Sequence, residues 1–266
     1  MTKRPPRKIG PWFRLAVVVL KPPLTLLTKR DWRGQEHIPA SGGVVLTTNH
    51  VSYFDPFAFA HFVYDSGRLP RFLAKSGVFT IPVFGKIVGK LGQIPVYRQT
   101  TDATTAFQAA VDGINRGECI VIYPEGTVSR DPGLWPMVGK TGAARVALMT
   151  GCPVIPIAQW GPQDVLKPYA KRPDLLPRKT MHLQAGPPVD LSQFIGRPLS
   201  AGTLREATEC IMAAITEQLE KIRGEQAPAE RFDMRQVGVA ETGDPNKSRQ
   251  PAGGETEPGT TEDGAR

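Results

Sequence analysis

The 266-residue chain has only three cysteines and four histidines, and no apolar run long enough to cross a bilayer. Cys119, Cys152 and Cys210 are odd in number, widely spaced and without a CxxC pair. That excludes a disulfide framework and a zinc cluster, and it suits a reducing compartment. The apolar run at residues 15–20 has Arg14 at its leading edge and stops at Lys21-Pro22-Pro23, with no A-x-A cleavage site beyond it. A spanning helix needs about 20 apolar residues, so neither a transmembrane helix nor a secretory signal is expected. No G-x-S-x-G occurs, which removes the serine-hydrolase elbow. Gly133 is separated from Gly139-Lys140-Thr141 by five residues where a Walker loop has four, and no good strand leads into it. His37, His61 and His182 lack metal-ligand spacing, so no metal site is expected.

What is present is basic charge at one end and acidic charge at the other. Residues 1–224 hold 28 Lys and Arg against 16 Asp and Glu, a balance of +12, whereas residues 225–266 hold 5 against 9. The first part prefers anionic partners, with nucleic acid, membrane surface and phosphorylated substrates all open on charge alone. Residues 1–30 form a basic amphipathic segment in which Leu15, Val18 and Val19, then Leu24, Leu26 and Leu27, make two short apolar faces. They are flanked by Lys3, Arg4, Arg7, Lys8, Arg14, Lys21, Lys29, Arg30 and Arg33. Near an anionic leaflet each such charge contributes on the order of 1 kcal/mol, so the segment reads as a membrane-associating helical anchor. The plain alternative is a helical hairpin packed on the domain. Residues 224–266, with PAGGETEPGTTEDG, read as a disordered acidic tail.

Residues 31–223 form the single folded domain, for which a 40% hydrophobic content is ample. Strand-like stretches at 43–48, 71–74, 94–96, 119–123, 154–158 and 181–185 alternate with helical patterns at 54–64, 83–91, 102–115 and 141–150. A long amphipathic helix at 203–222 follows. This predicts an α/β fold with a mixed, largely parallel central sheet flanked by helices, with motifs at strand ends.

Four stretches stand out. In Thr48-Asn49-His50-Val51-Ser52-Tyr53-Phe54-Asp55 a histidine leaves a strand five positions ahead of an aspartate. Such a pair can act as a general base with its orienter, or as a structural histidine beside a helix cap. Gly92-Gln93-Ile94-Pro95-Val96-Tyr97-Arg98 brings Arg98 to the rim, suited to a phosphate or carboxylate or simply to solvent. Tyr123-Pro124-Glu125-Gly126-Thr127 turns sharply at a strand end with a carboxylate in the turn. Val154-Ile155-Pro156-Ile157-Ala158 is apolar on both faces and reads as a core strand.

In this order, and over residues 35–190, these stretches resemble the glycerolipid acyltransferase family, in particular bacterial 1-acylglycerol-3-phosphate acyltransferases. Asn49-His50 with Asp55, and Tyr123-Pro124-Glu125-Gly126-Thr127, carry the resemblance. It implies that His50 deprotonates the acceptor hydroxyl, oriented by Asp55, for attack on the thioester of acyl-CoA or acyl-carrier protein. It also assigns Arg98, Glu125, Gly126 and Thr127 to the acceptor pocket, with Glu125 ordering the donors around it. Val128 replaces the usual arginine, and Tyr97 stands where an aspartate is common. Arg130 or Lys140 can supply the missing charge. An apolar groove would draw on Phe54, Phe57, Phe79, Ile81 and Phe84, which are equally well read as core.

The implied reaction moves a fatty acyl group to the sn-2 hydroxyl of 1-acylglycerol 3-phosphate, giving phosphatidic acid, at the cytoplasmic face of the cell membrane. It needs no cofactor and no metal. Expected partners are an anionic membrane surface, a lysophospholipid acceptor and the acyl carrier, and not nucleic acid. The rival readings are an acyltransferase for another lysolipid or glycolipid, and a non-catalytic peripheral membrane-binding protein.

Overall fold

The computed structural model describes residues 9–96 and 102–238. Tyr97 and Arg98 lie outside the described residues, as do Lys3, Arg4, Arg7, Lys8 and residues 239–266 of the acidic tail, and so does the side chain of Phe84.

Seven strands form one sheet in the order β1-β7-β6-β2-β5-β3-β4. They are β1 (Thr28–Arg33), β2 (Val44–Thr48), β3 (Pro70–Lys75), β4 (Ile94–Val96), β5 (Cys119–Ile122), β6 (Val154–Trp160) and β7 (Lys179–Ala185). Every pairing is parallel except that of β6 with β7, so β1 and β7 run against the other five. The middle strands are continuous apolar runs, with every residue of β2 and β5 buried, as expected of a parallel sheet covered on both faces.

The covering helices are α1 (Pro11–Leu27), α2 (Asp55–Asp65), α3 (Phe84–Lys90), α4 (Asp102–Asn115), α5 (Gly142–Thr150), α6 (Pro162–Val165) and α7 (Ala201–Arg223). On one face, Ala106, Ala110 and Ile114 of α4, Ala144 and Ala147 of α5, and Ile211 and Ile215 of α7 pack over Val45, Ile120 and Val154. On the other, Phe59, Phe62 and Val63 of α2 pack over Leu46, Val121, Ile155 and Leu183. Small residues on α4 and α5 let those helices lie close to the strands. In α7 Ser200 caps the N-terminus by accepting from the Thr203 N–H, and Gly224 ends the helix at φ 67°.

Three expectations are corrected. The apolar segment near the N-terminus is not broken at Lys21-Pro22-Pro23, since α1 runs straight through both prolines. Prolines remove hydrogen bonds to the carbonyls four residues earlier, here those of Val18 and Val19, which lie on an exposed face where an outside donor can reach them. The last turn is closed by Thr25 Oγ1 to the Lys21 carbonyl at 2.8 Å and Thr28 Oγ1 to the Leu24 carbonyl at 2.6 Å.

Second, a boundary at residue 30 cuts through β1, which belongs to the sheet. Its sequence Thr-Lys-Arg-Asp-Trp-Arg has no strand-like alternation because it is an edge strand, with only Thr28 fully buried. Third, the chain beyond α7 first packs back on the domain. The Val138 N–H donates to the Phe232 carbonyl at 3.1 Å, Arg231 pairs with Glu209, and Met234 is buried.

Candidate active site

Strand β2 ends at Thr48, and the next seven residues wrap into α2. Asp55 opens that helix with Pro56 beside it, and its carboxylate folds back over the turn instead of capping the helix. Asp55 Oδ2 accepts from the Val51 N–H at 2.7 Å, the Ser52 N–H at 3.1 Å and His50 Nδ1 at 2.8 Å. The Asp55 side chain has no exposed surface, while that of His50 is 16% exposed. Burial raises the Asp55 carboxyl above the ordinary carboxylate range, and the hydrogen bond from His50 and those from the two amides pull it back down. With Nδ1 committed to Asp55, His50 offers Nε2 as its second ring nitrogen, the tautomer a general base requires.

Strand β5 delivers the second motif alongside. Glu125 Oε1 accepts the His50 N–H at 2.8 Å and Oε2 accepts the Met137 N–H at 3.1 Å, with Glu125 fully buried. Burial pushes its carboxyl up to about 8. With no exposed surface, the Glu125 carboxyl ties the two loops together. The Ser129 N–H returns the link by donating to the His50 carbonyl at 2.7 Å. The Tyr123 ring packs against His50 with centroids 4.5 Å apart.

Gly126 adopts φ 71°, and a Cβ there would stand 3.2–3.3 Å from the side-chain carbons of Lys140. The turn thus needs glycine twice over, and it brings Lys140 against the motif. The Lys140 N–H is fixed to the Pro124 carbonyl at 2.8 Å. Thr127 is half-buried beside it. Val128, at the position of the expected arginine, is buried at 1% exposure, with its carbonyl accepting from the Tyr169 hydroxyl at 3.2 Å. Arg130 stacks on the Tyr169 ring at 5.5 Å.

Phe54 and Phe57 line an open apolar groove of about 200 Å³ together with Leu20, Leu24 and Leu27 of α1. Phe79 and Ile81 are not part of it. His61 lies apart from the site, edge-on to Trp32 at 4.7 Å, and burial lowers its ring to about 4. His182 pairs with Asp31 at 2.8 Å. No group of His, Cys, Asp and Glu with metal-binding geometry occurs among the described residues.

Asn49 and Gln159 escaped the sequence reading as functional residues. Their amide groups interlock beneath His50, with the Asn49 carboxamide bonded to the Gln159 main chain at 2.8 and 3.0 Å. In the sequence Asn49 shows as the residue ahead of His50 in its motif, and Gln159 only as a polar residue next to last in an otherwise apolar strand.

Residues 29–160 match the family described as Acyltransferase. Among characterised relatives, a chloroplastic 1-acyl-sn-glycerol-3-phosphate acyltransferase of Brassica napus is 31% identical over 52% of this chain and 39% of its own length. A 1-acyl-sn-glycerol-3-phosphate acyltransferase of Bacillus subtilis is 27% identical over 71% of this chain and 87% of its own. The chain thus spans about two fifths of the plant relative and most of the bacillary one. The crystal structure of the 1-acyl-sn-glycerophosphate acyltransferase PlsC of Thermotoga maritima superposes with a TM-score of 0.62 over 81% of each chain at 22% identity, a likeness of fold.

Proposed function

Starting from the acyltransferase family, to which residues 29–160 of this chain belong, we propose that the protein transfers a fatty acyl group from acyl-CoA or acyl-carrier protein to the sn-2 hydroxyl of 1-acylglycerol 3-phosphate. The observation that carries this reading is the 2.8 Å contact of His50 Nδ1 with a buried Asp55. His50 Nε2 takes the hydroxyl proton as the oxygen attacks the thioester carbonyl carbon. The tetrahedral intermediate then expels the thiolate, which takes that proton back from the imidazolium, so the products are phosphatidic acid and free thiol. As a positioned base His50 contributes about 10² to 10⁴ in rate, and Asp55 orients the ring and stabilises its charged form. A thioester is already activated, so this route uses no covalent enzyme intermediate.

Lys140, held against Gly126, and Arg98, on its motif match, supply positive charge to the acceptor phosphate, with Gly126 and Thr127 shaping the turn beside Lys140. The buried Val128 favours a second reading in which the acceptor is another lysolipid. The site we propose for this reaction is an anionic membrane surface on the cytoplasmic side; attachment to a membrane surface as such is supported by the outward apolar residues of α1, among them Leu15 at 52%, Val18 at 70% and Val19 at 58% exposure. No described helix is long and apolar enough to cross a membrane. Ile81, Val83 and Ile87 are exposed as well, and Lys90 of the same segment sits 3.9 Å over the ring of Trp12.

The test is a transfer assay read by mass spectrometry. Wild type and His50→Ala are offered acyl-CoA or acyl-carrier protein with 1-acylglycerol 3-phosphate and a panel of other lysolipids. Phosphatidic acid from wild type alone supports the reaction and the base. A product only from another lysolipid moves the function to that lipid, and undiminished turnover by a folded His50→Ala overturns the mechanism. Arg98→Ala is expected to raise the acceptor KM more than the donor KM.

A further inference from the structure

The peptide unit joining Asn49 to His50 is held at both ends by buried side chains. Its N–H, on His50, donates to Glu125 Oε1 at 2.8 Å, and its C=O, on Asn49, accepts from Gln159 Nε2 at 2.8 Å. Gln159 has no exposed surface and Asn49 has 1%. The exchange is reciprocal, since the Gln159 N–H donates to Asn49 Oδ1 at 2.8 Å and Asn49 Nδ2 donates to the Gln159 carbonyl at 3.0 Å.

The reason lies in the end of the parallel ladder. The last register pair of β2 with β6 is Thr48 with Ile157, yet β6 continues to Trp160. At Asn49 the main chain must leave the sheet to present His50. The Asn49 carboxamide, chemically a peptide group, occupies the hydrogen-bonding place on β6 that the departing main chain vacates. Gln159 returns its own amide to the carbonyl left behind. Without that donor the Asn49 carbonyl keeps, among the described residues, only Thr48 Oγ1, at 3.4 Å, a poor partner for a buried carbonyl.

We propose that Gln159 is a positioning residue for His50: its carboxamide, with Glu125 on the opposite end of the same peptide group, sets the plane from which the imidazole projects. This rests on the reading of His50 as the base. The effect reaches the ring through one peptide bond, so it acts on the proton-transfer step and not on substrate affinity. A misplacement on the order of 1 Å is enough to lower a rate about 10²-fold.

Two variants test it beside wild type and His50→Ala in the transfer assay. Gln159→Met keeps the volume and removes the donor. Its kcat is expected to fall at least about tenfold, with both KM values within about twofold of wild type and the folded protein recovered. Gln159→Glu keeps the shape, but its carboxyl can donate to the Asn49 carbonyl only when protonated. Its kcat relative to wild type is therefore expected to be highest at acid pH and to fall as pH rises, a dependence that mere filling of space does not produce. Unchanged kcat in folded Gln159→Met, or a ratio of Gln159→Glu to wild type that is flat with pH, overturns the proposal. If Gln159→Met fails to fold, the pH ratio of Gln159→Glu decides alone. Turnover retained in His50→Ala brings down the reading of the base itself, whereas loss there with full activity in Gln159→Met brings down only the role of Gln159.

Discussion

The rim around His50 and the helix α1 invert, in opposite senses, the usual partition of residues between inside and outside. At the rim Asn49, Asp55, Glu125 and Gln159 are buried, and each is tied to main-chain groups of a neighbouring loop or strand. On α1 not one residue is buried, and Trp12, Leu15, Val18, Val19, Leu20 and Leu26 are exposed. Burying polar groups is costly unless every donor finds its acceptor, so the rim is tolerable only as a tightly specified geometry. Exposing apolar groups is costly unless something outside the chain covers them. The contrast separates a region organised around atomic position from one organised around an outward apolar face.

The contrast can be broken at its polar end first. His50→Ala is expected to lower turnover by at least about 10² with the fold intact. Transfer assays alongside thermal melts check it, and retained turnover contradicts the assignment. Restoring the family's arginine by Val128→Arg places a charge where the side chain is buried. It is expected to destabilise the domain by about 3–5 kcal/mol, read by urea denaturation, and a neutral result would show that this loop turns outward freely.

Glu125 sharpens the same point through pH. The folded chain holds its proton up to about 8, whereas the carboxyl's ordinary value is 4.5. Its contribution to stability is therefore complete below about pH 4.5 and declines as pH rises toward 8, by at most about 1.4 kcal/mol per unit. The stability difference between wild type and Glu125→Gln should shrink over that window, and a constant difference would mean that Glu125 is ionised throughout. At the apolar end, Val18→Asp should weaken binding to anionic vesicles about tenfold, the value of one valine side chain, without moving the melting temperature. Unchanged vesicle binding would return α1 to the role of an ordinary packed helix.

Much of this was legible in the sequence for a physical reason. Central strands buried on both faces are continuous apolar runs, and glycine and proline punctuate the strand ends, so β2, β5 and β6 and the loops they deliver were readable. The edge strand β1 was not, because an edge beside solvent tolerates Lys29, Arg30, Asp31 and Arg33 and so hides its period. The prolines of α1 misled because a helix breaker costs most where the freed carbonyls are enclosed, and those of Val18 and Val19 are not. Glu125 was visible as a motif residue, but its burial was not, since a carboxylate in a turn ordinarily faces water. Gln159 left almost no mark, because its partner is main chain and main chain has no letter.

One junction has a kinetic meaning. Helix α1 ends at Leu27 and strand β1 begins at Thr28 with no loop residue between them, while Lys21 Nζ holds Asp65 of α2 at 2.6 Å. A domain so joined does not swivel on α1. If α1 seats in a leaflet, as proposed, the rim bearing His50 would keep one tilt and one height above the lipid, and the search for a substrate would become two-dimensional. Turnover would then follow the mole fraction of acceptor in the bilayer more than its concentration in the suspension. Diluting the acceptor with inert lipid, at constant total acceptor, should slow the enzyme.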